Sequence, residues 1–156
     1  QLDFSMPDRL NASYIDQDGQ KRIPVMIHRA ILGSIERFVG ILIEEYAGDM
    51  PLWLAPTQVV ILNITSNQEN YCNNIENSLQ NNNIRVICDL RNEKISFKIR
   101  EHTLSKIPYI IIIGDKEVAD NKISVRTRSG LDMGQMTVEN FMKMLDTHVI
   151  EKSLTI

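Results

Sequence analysis

Apolar and polar positions alternate along this chain in two rhythms, and the changes of rhythm mark its elements. Residues 1–4 read as a short extended start. Residues 11–15 and 22–27 alternate as two strands, and residues 16–20 read as their turn, because Asp18-Gly19 tolerates the positive φ of a hairpin. From Ser34 the period lengthens. Ile35, Phe38, Val39, Leu42 and Tyr46 fall at helical spacing, with Ser34 as the N-cap and Gly48 as the stop. Pro51, Trp53 and Pro56 make residues 49–56 a stiff connector, and the domain boundary is placed there, giving domains 1–50 and 51–156. Beyond it, residues 58–64 form a β-branched apolar run that predicts a buried strand. Tyr71, Ile75 and Leu79 predict a helix over 67–80, and Asn81-Asn82-Asn83 a turn. A strand is expected over 84–90, then a helix over 95–104 with Ile95, Ile99 and Leu104 on one stripe. Residues 109–113 read as a buried strand and 122–128 as a fourth. A closing helix over 138–149 turns Phe141, Leu145 and Val149 inward. This alternation predicts a layered α/β domain. The link 115–121 is too short for a crossover helix, so the strands it joins should be antiparallel.

Composition narrows the class. A chain of 156 residues with 43% hydrophobic residues can fold as one domain, or one domain plus an appendage, and wholesale disorder is excluded. Formal net charge is -3, so a polyanion would have to be met by a local patch. Cys72 and Cys88 fit neither a zinc pattern nor a disulfide framework and read as reduced thiols of a cytoplasmic protein. The longest apolar run is too short to span a bilayer. No signal peptide or initiator methionine precedes Gln1, so the chain reads as a piece of something larger.

The segment from His28 to Phe38 combines a metal-ligand type, a helix start and an arginine in an apolar setting. A lone histidine after an apolar strand is more often a structural hydrogen-bonder than a ligand, and no Cys or His lies nearby to complete a zinc cluster. Arg37 reads either as half of a solvated pair with Glu36 or as an anion-binding fork at a helix opening. The second charged cluster runs through Asp89-Leu90-Arg91-Asn92-Glu93-Lys94 at a strand end. It continues with Lys98, Arg100 and His102 on the next helix, then Lys106, 114–118 and Arg126-Thr127-Arg128. Strand ends in open α/β sheets are where ligands bind. The cluster is either a solvated rim or a surface for single-stranded RNA, where cations meet phosphates and Asn and Glu read base edges. The asparagine-rich stretch 67–83 reads as a solvated helix face.

Taken together these residues resemble the C-terminal part of bacterial-type threonyl-tRNA synthetases, over the whole chain. The segment Pro24-Val25-Met26-Ile27-His28-Arg29-Ala30-Ile31-Leu32-Gly33-Ser34-Ile35-Glu36-Arg37-Phe38 is similar to motif 3 of class II synthetases in its threonyl version. Residues 53–59, 89–95, 98–101 and 114–118 resemble the anticodon-binding domain shared by several class II enzymes. The resemblance implies a mixed, mostly parallel five-stranded sheet flanked by helices, preceded by the tail of an antiparallel catalytic domain. A short strand near 132–136 would supply the missing fifth strand. It implies that His28 is one of three protein ligands of a zinc that grips threonine, and that Arg37 holds ATP phosphates. Gly33 and Ser34 would line that site, with Gln1 beside the adenylate. Asn92, Glu117 and Arg126 would contact anticodon bases, with Lys94 and Arg100 near the RNA backbone.

The partners so implied are threonine tRNA, threonine and ATP with magnesium, in a homodimeric cytoplasmic parent, with no DNA and no membrane. The other zinc ligands, motifs 1 and 2 and the editing domain would precede Gln1. The piece alone is therefore expected to be inactive and to lack the zinc, with residues 1–48 short of the surface their apolar positions would cover. An accessory RNA-binding module without catalysis is the alternative, and a generic small-molecule α/β domain lacks a phosphate-loop glycine pattern.

Overall fold

A computed structural model describes residues 1–154, which fall into two units, Gln1–Leu42 and the chain from Ile43 onward. The first unit contains β1 (Leu2–Asp3), α1 (Met6–Arg9), β2 (Tyr14–Ile15), β3 (Lys21–Arg22) and β4 (Met26–Ile27). β1 pairs antiparallel with β4, and β2 with β3. The strand expected over 22–27 is therefore divided between two ladders. Pro24 has no N–H to donate and sits at the break. The unexpected α1 starts where Asp3 Oδ1 accepts from the backbone N–H of Ser5 and Met6, each at 2.9 Å, and bends the chain out of β1. The expected turn is present, with Gly19 at φ 71° and Asp16 accepting from the N–H of Asp18 and Gln20. α2 (Ile35–Tyr46) follows. Ser34 Oγ accepts from Arg37 N at 3.2 Å, and the helix closes through Gly48 N to Ile43 O at 3.0 Å.

Residues 49–56 are clasped by two arginines. Arg128 donates to the carbonyls of Met50 (2.6 Å) and Asp49 (3.1 Å), and Arg85 to those of Ala55 and Trp53. Carbonyls of an irregular segment need donors, and guanidinium groups supply several at once.

The sheet follows from β5 (Val59–Asn63), α3 (Glu69–Asn81), β6 (Val86–Asp89), α4 (Ile95–Leu104), β7 (Tyr109–Ile113), α5 (Asp115–Asp120), β8 (Ile123–Thr127), β9 (Asp132–Met136) and α6 (Val138–Ile150). Strand order is β6-β5-β7-β8-β9. β5 is parallel to β6 and β7, and β8 is antiparallel to β7 and β9, so all strands but β8 point one way. The expected mixed sheet is present, with β9 as its fifth strand. The link 115–121 joins antiparallel strands as expected but winds into α5, a helix too short to cross the sheet.

One face buries Val59, Ile61, Tyr109, Ile111, Ile113, Ile123 and Val125 with Cys72, Ile75 and Leu79 of α3 and Phe141 and Leu145 of α6. Tyr109 and Phe141 meet edge to face, centroids 5.6 Å apart. Val149, expected inward, is 38% exposed. The other face buries Val60, Leu62 and Ile110, packed with Ile95 and Ile99 of α4. The expected stripe of α4 fails at Leu104, which is 72% exposed; Lys98 and His102 fill the inner face instead. Positions 95, 98, 99 and 102 are neighbours on one helix face, whereas 104 lies two residues beyond the last of them.

Candidate nucleic-acid interface

The parallel strands β5, β6 and β7 all end at the same edge of the sheet, where Ile113 O of β7 accepts from Ile64 N at 3.0 Å. Lys98 satisfies the last carbonyls of the other two strands. Its Nζ, on a residue only 1% exposed, donates to Asn63 Oδ1 (2.8 Å), Asn63 O (3.3 Å) and Asp89 O (3.1 Å). All three ammonium protons are thereby accounted for, which is the condition for burying a charge. Sequence reasoning placed Lys98 and His102 on a charged rim; the structure corrects this, since both are internal fasteners.

Beside Lys98, Asp89 takes four hydrogen bonds. Its Oδ1 accepts from Arg91 N (3.2 Å) and Nε (2.9 Å), and its Oδ2 from Arg91 Nη2 (2.7 Å) and His102 Nε2 (2.8 Å). Arg91 also donates to Glu101 at 3.0 Å. The Arg91 guanidinium, and after it His102, outweighs burial and holds the Asp89 carboxyl well below the usual carboxylate range. The loop 90–94 is thus pinned at its first turn to β6 and α4. Asn92 and Lys94 stand exposed on it, and Lys94 O starts α4 by accepting from the N–H of Phe97 and Lys98.

Glu117 lies on α5, just past β7. Its Oε2 accepts from Gly114 N (3.0 Å), and its Oε1 from Ser124 Oγ (2.8 Å) and Gln135 Nε2 (2.6 Å). Burial opposes its charge, but Gln135, Ser124 and Gly114 together keep its carboxyl below the ordinary glutamate value. Gly114 is required by close approach. A Cβ there would meet Ile64 Cδ1 at 2.9 Å and Glu117 Oε2 at 3.1 Å.

Arg126 is half-buried on β8. Its ladder partners are Ile110 on β7 and Asp132 on β9, and its Nη2 donates to Asp132 Oδ2 at 3.2 Å. Ile110 belongs to the α4-facing core, so Arg126 and Ser124 share the α4 face of the sheet. A bulge between Val125 and Arg126 interrupts the ladder beside them. Arg100 is exposed on α4. The structure thus gathers Asn92, Lys94 and Glu117 at the carboxyl edge of the sheet, sets Arg126 on the adjoining face, and leaves Arg100 out along the helix. Sequence reading missed Ser124, Gln135 and the internal roles of Asp89 and Lys98. Only the alternation of Ser124 and Arg126 opposite buried Ile123 and Val125 signalled a polar face.

In the first unit Gln1 and His28 are ladder neighbours. His28 N donates to Gln1 O at 2.9 Å, and the amino group of Gln1 donates to His28 O at 3.1 Å. His28 Nε2 lies 3.1 Å from Asp3 Oδ2. The backbone N–H of Met6, then that of Ser5, hold the Asp3 carboxyl at about 2. Gly33 has φ 72°, and Ser34 caps α2. Arg37 is exposed, contrary to its apolar-looking setting, because α2 buries none of its residues. Among the described residues no group of three His, Cys, Asp or Glu side chains is placed to hold a metal, and no helix is long and apolar enough to cross a membrane.

The anticodon binding domain model matches residues 58–148, and the model of the tRNA synthetase class II core domain (G, H, P, S and T) matches residues 1–46. The chain is 58% identical over 153 residues to a threonine–tRNA ligase of Saccharophagus degradans, covering 98% of the chain and 24% of that relative. It is 56% identical over 155 residues to the ligase of Marinobacter nauticus, covering 99% of the chain and again 24% of the relative. The chain therefore spans about a quarter of the length of these relatives. Among solved structures, the RNA binding domain of threonyl-tRNA synthetase from Cryptosporidium parvum Iowa II superposes with a TM-score of 0.76 at 34% identity, covering 94% of this chain and 38% of that one.

Proposed function

The chain belongs to the anticodon binding domain family and carries the sequence pattern of the C-terminal region of threonyl-tRNA synthetases, and from that premise we propose that it recognises the anticodon of threonine tRNA. The observation that carries the reading is the fixed Glu117 carboxylate, which shares the carboxyl edge of a mixed sheet with Asn92 and Lys94, while Arg126 stands on the adjoining α4 face opposite Ile110. Asn92, Glu117 and Arg126 contact base edges, where an amide, a carboxylate and a guanidinium each prefer different donor and acceptor patterns. Lys94 and Arg100 meet phosphates and set affinity without reading sequence.

In this reading residues 1–50 belong to the catalytic domain of a threonine–tRNA ligase, and residues 51–156 are the anticodon module. The whole ligase uses ATP with magnesium to activate threonine, transfers it to threonine tRNA, and works as a cytoplasmic homodimer. Arg37 grips ATP phosphates with its two-pronged guanidinium, while Gly33, Ser34 and Gln1 line the same pocket. His28 is one zinc ligand. A single imidazole beside Asp3 does not make a tetrahedral site, so the residues present here do not fit a zinc by themselves, and no step is derived through the metal. Two free cysteines agree with a reducing compartment; burial pushes the Cys72 thiol up to about 11. An accessory module without catalysis would bind the same RNA, but the class II core match over residues 1–46 favours the ligase.

Replacing Arg126 by Ala should weaken binding of threonine tRNA by about 1–3 kcal/mol, as for loss of a good base contact, with the salt dependence unchanged. An unchanged affinity, or a change confined to the salt slope, contradicts base reading by Arg126.

A further inference from the structure

We infer that Gln135 is a specificity-positioning residue of the anticodon surface: together with Ser124 it saturates one oxygen of Glu117, so that the other oxygen meets the base. The inference rests on the anticodon-reading proposal and deepens it. A carboxylate has about four acceptor sites, two on each oxygen. Oε1 receives Ser124 Oγ at 2.8 Å and Gln135 Nε2 at 2.6 Å, which fills it. Oε2 receives Gly114 N at 3.0 Å and keeps one site free. The carboxylate thus presents a single acceptor in a fixed direction. A base that offers an N–H at that point is accepted, and one that turns only acceptor atoms to it is repelled.

The amide orientation of Gln135 is settled by the same chemistry. An ionised carboxylate only accepts, so the NH₂ side of the amide must face it. Position follows from the ladder. Gln135 is the direct cross-strand partner of Ser124, so both donors rise from one rung of β8 and β9 on the same face. β9 is a half-open edge strand whose Met133 and Met136 pack against the core, while Gln135 between them turns to the opposite face. Its polar rung is what the reading surface uses.

The test compares the chain's affinities for threonine tRNA and for the same tRNA with its anticodon replaced, at one salt concentration. In Gln135→Met, which keeps length and removes the donor, the preference for the matching anticodon should fall about tenfold while affinity for the replaced tRNA stays the same. A general structural defect would instead lower both affinities together. Gln135→Lys restores a donor to Glu117 and should restore the preference. If Gln135→Met is unfolded by circular dichroism, Ser124→Ala removes the other donor on the same oxygen and should show the same loss of preference. Full preference in a folded Gln135→Met (in Ser124→Ala should Gln135→Met not fold), or no recovery in Gln135→Lys, overturns the inference. Equal binding of both tRNAs by the unaltered chain overturns the anticodon-reading proposal itself, and is distinguished by appearing before any substitution.

Discussion

Asp89 shows how one residue couples the core to the candidate interface. It ends β6, is 6% exposed, and ties Arg91 and His102 together around the turn that carries Asn92. Its carboxyl is lowered in the folded state, so its stabilisation is complete above the unfolded value of about 3.9 and is lost as pH falls through the lower folded value. Asp89→Asn should therefore cost about 1–3 kcal/mol near neutrality. In urea denaturation at a series of pH values, its deficit relative to the unaltered chain should shrink below about pH 4. A deficit that is constant from neutrality to acid would contradict the ionic role. Little of this was legible in sequence. Asp89, Lys98 and His102 look like members of a charged rim, since nothing in a one-dimensional pattern shows that carbonyls at two strand ends need an ammonium beneath them.

At the scale of elements, apolar periodicity located each strand and helix of the larger unit except α5 and β9, the latter expected only from the family resemblance. It failed where burial is not apolar or where polar chemistry bends the chain. The stripe of α4 runs through Lys98 and His102 and was misassigned to Leu104. α1 follows from Asp3 capping backbone N–H groups, and the break at Pro24 from a missing donor. α5 illustrates how an element too short for a periodicity signal still positions function. Its first turn holds Glu117, and Gly114 at its entrance leaves no room for a side chain. Gly114→Ala should cost about 1 kcal/mol through overpacking. Ile64 is half exposed and can yield to the closer contact, but the Glu117 carboxylate, with Oε2 3.1 Å from the added Cβ, must also shift by a few tenths of an ångström. The variant should melt slightly lower and lose most of its anticodon preference; a stable variant with full preference would show that the Glu117 position does not matter.

Across the whole molecule, the two units differ in what they bury. In Gln1–Leu42 Pro7 is the buried residue, while Ile27, Ile31 and Ile35 are 74%, 80% and 78% exposed. The unit from Ile43 onward holds both hydrophobic clusters and the polar strand edge. A net charge of -3 supplies no general attraction for RNA, so binding must come from the local arrangement of Lys94, Arg100 and Arg126 and must be selective if Asn92 and Glu117 read bases. The most direct measurement is the ratio of dissociation constants of the chain for threonine tRNA and for that tRNA with another anticodon, at a single salt concentration. Base reading by this edge predicts tighter binding of the matching anticodon by at least tenfold, equivalent to about 1.4 kcal/mol. Equal constants would show that the surface holds RNA by its phosphates alone and would contradict the account.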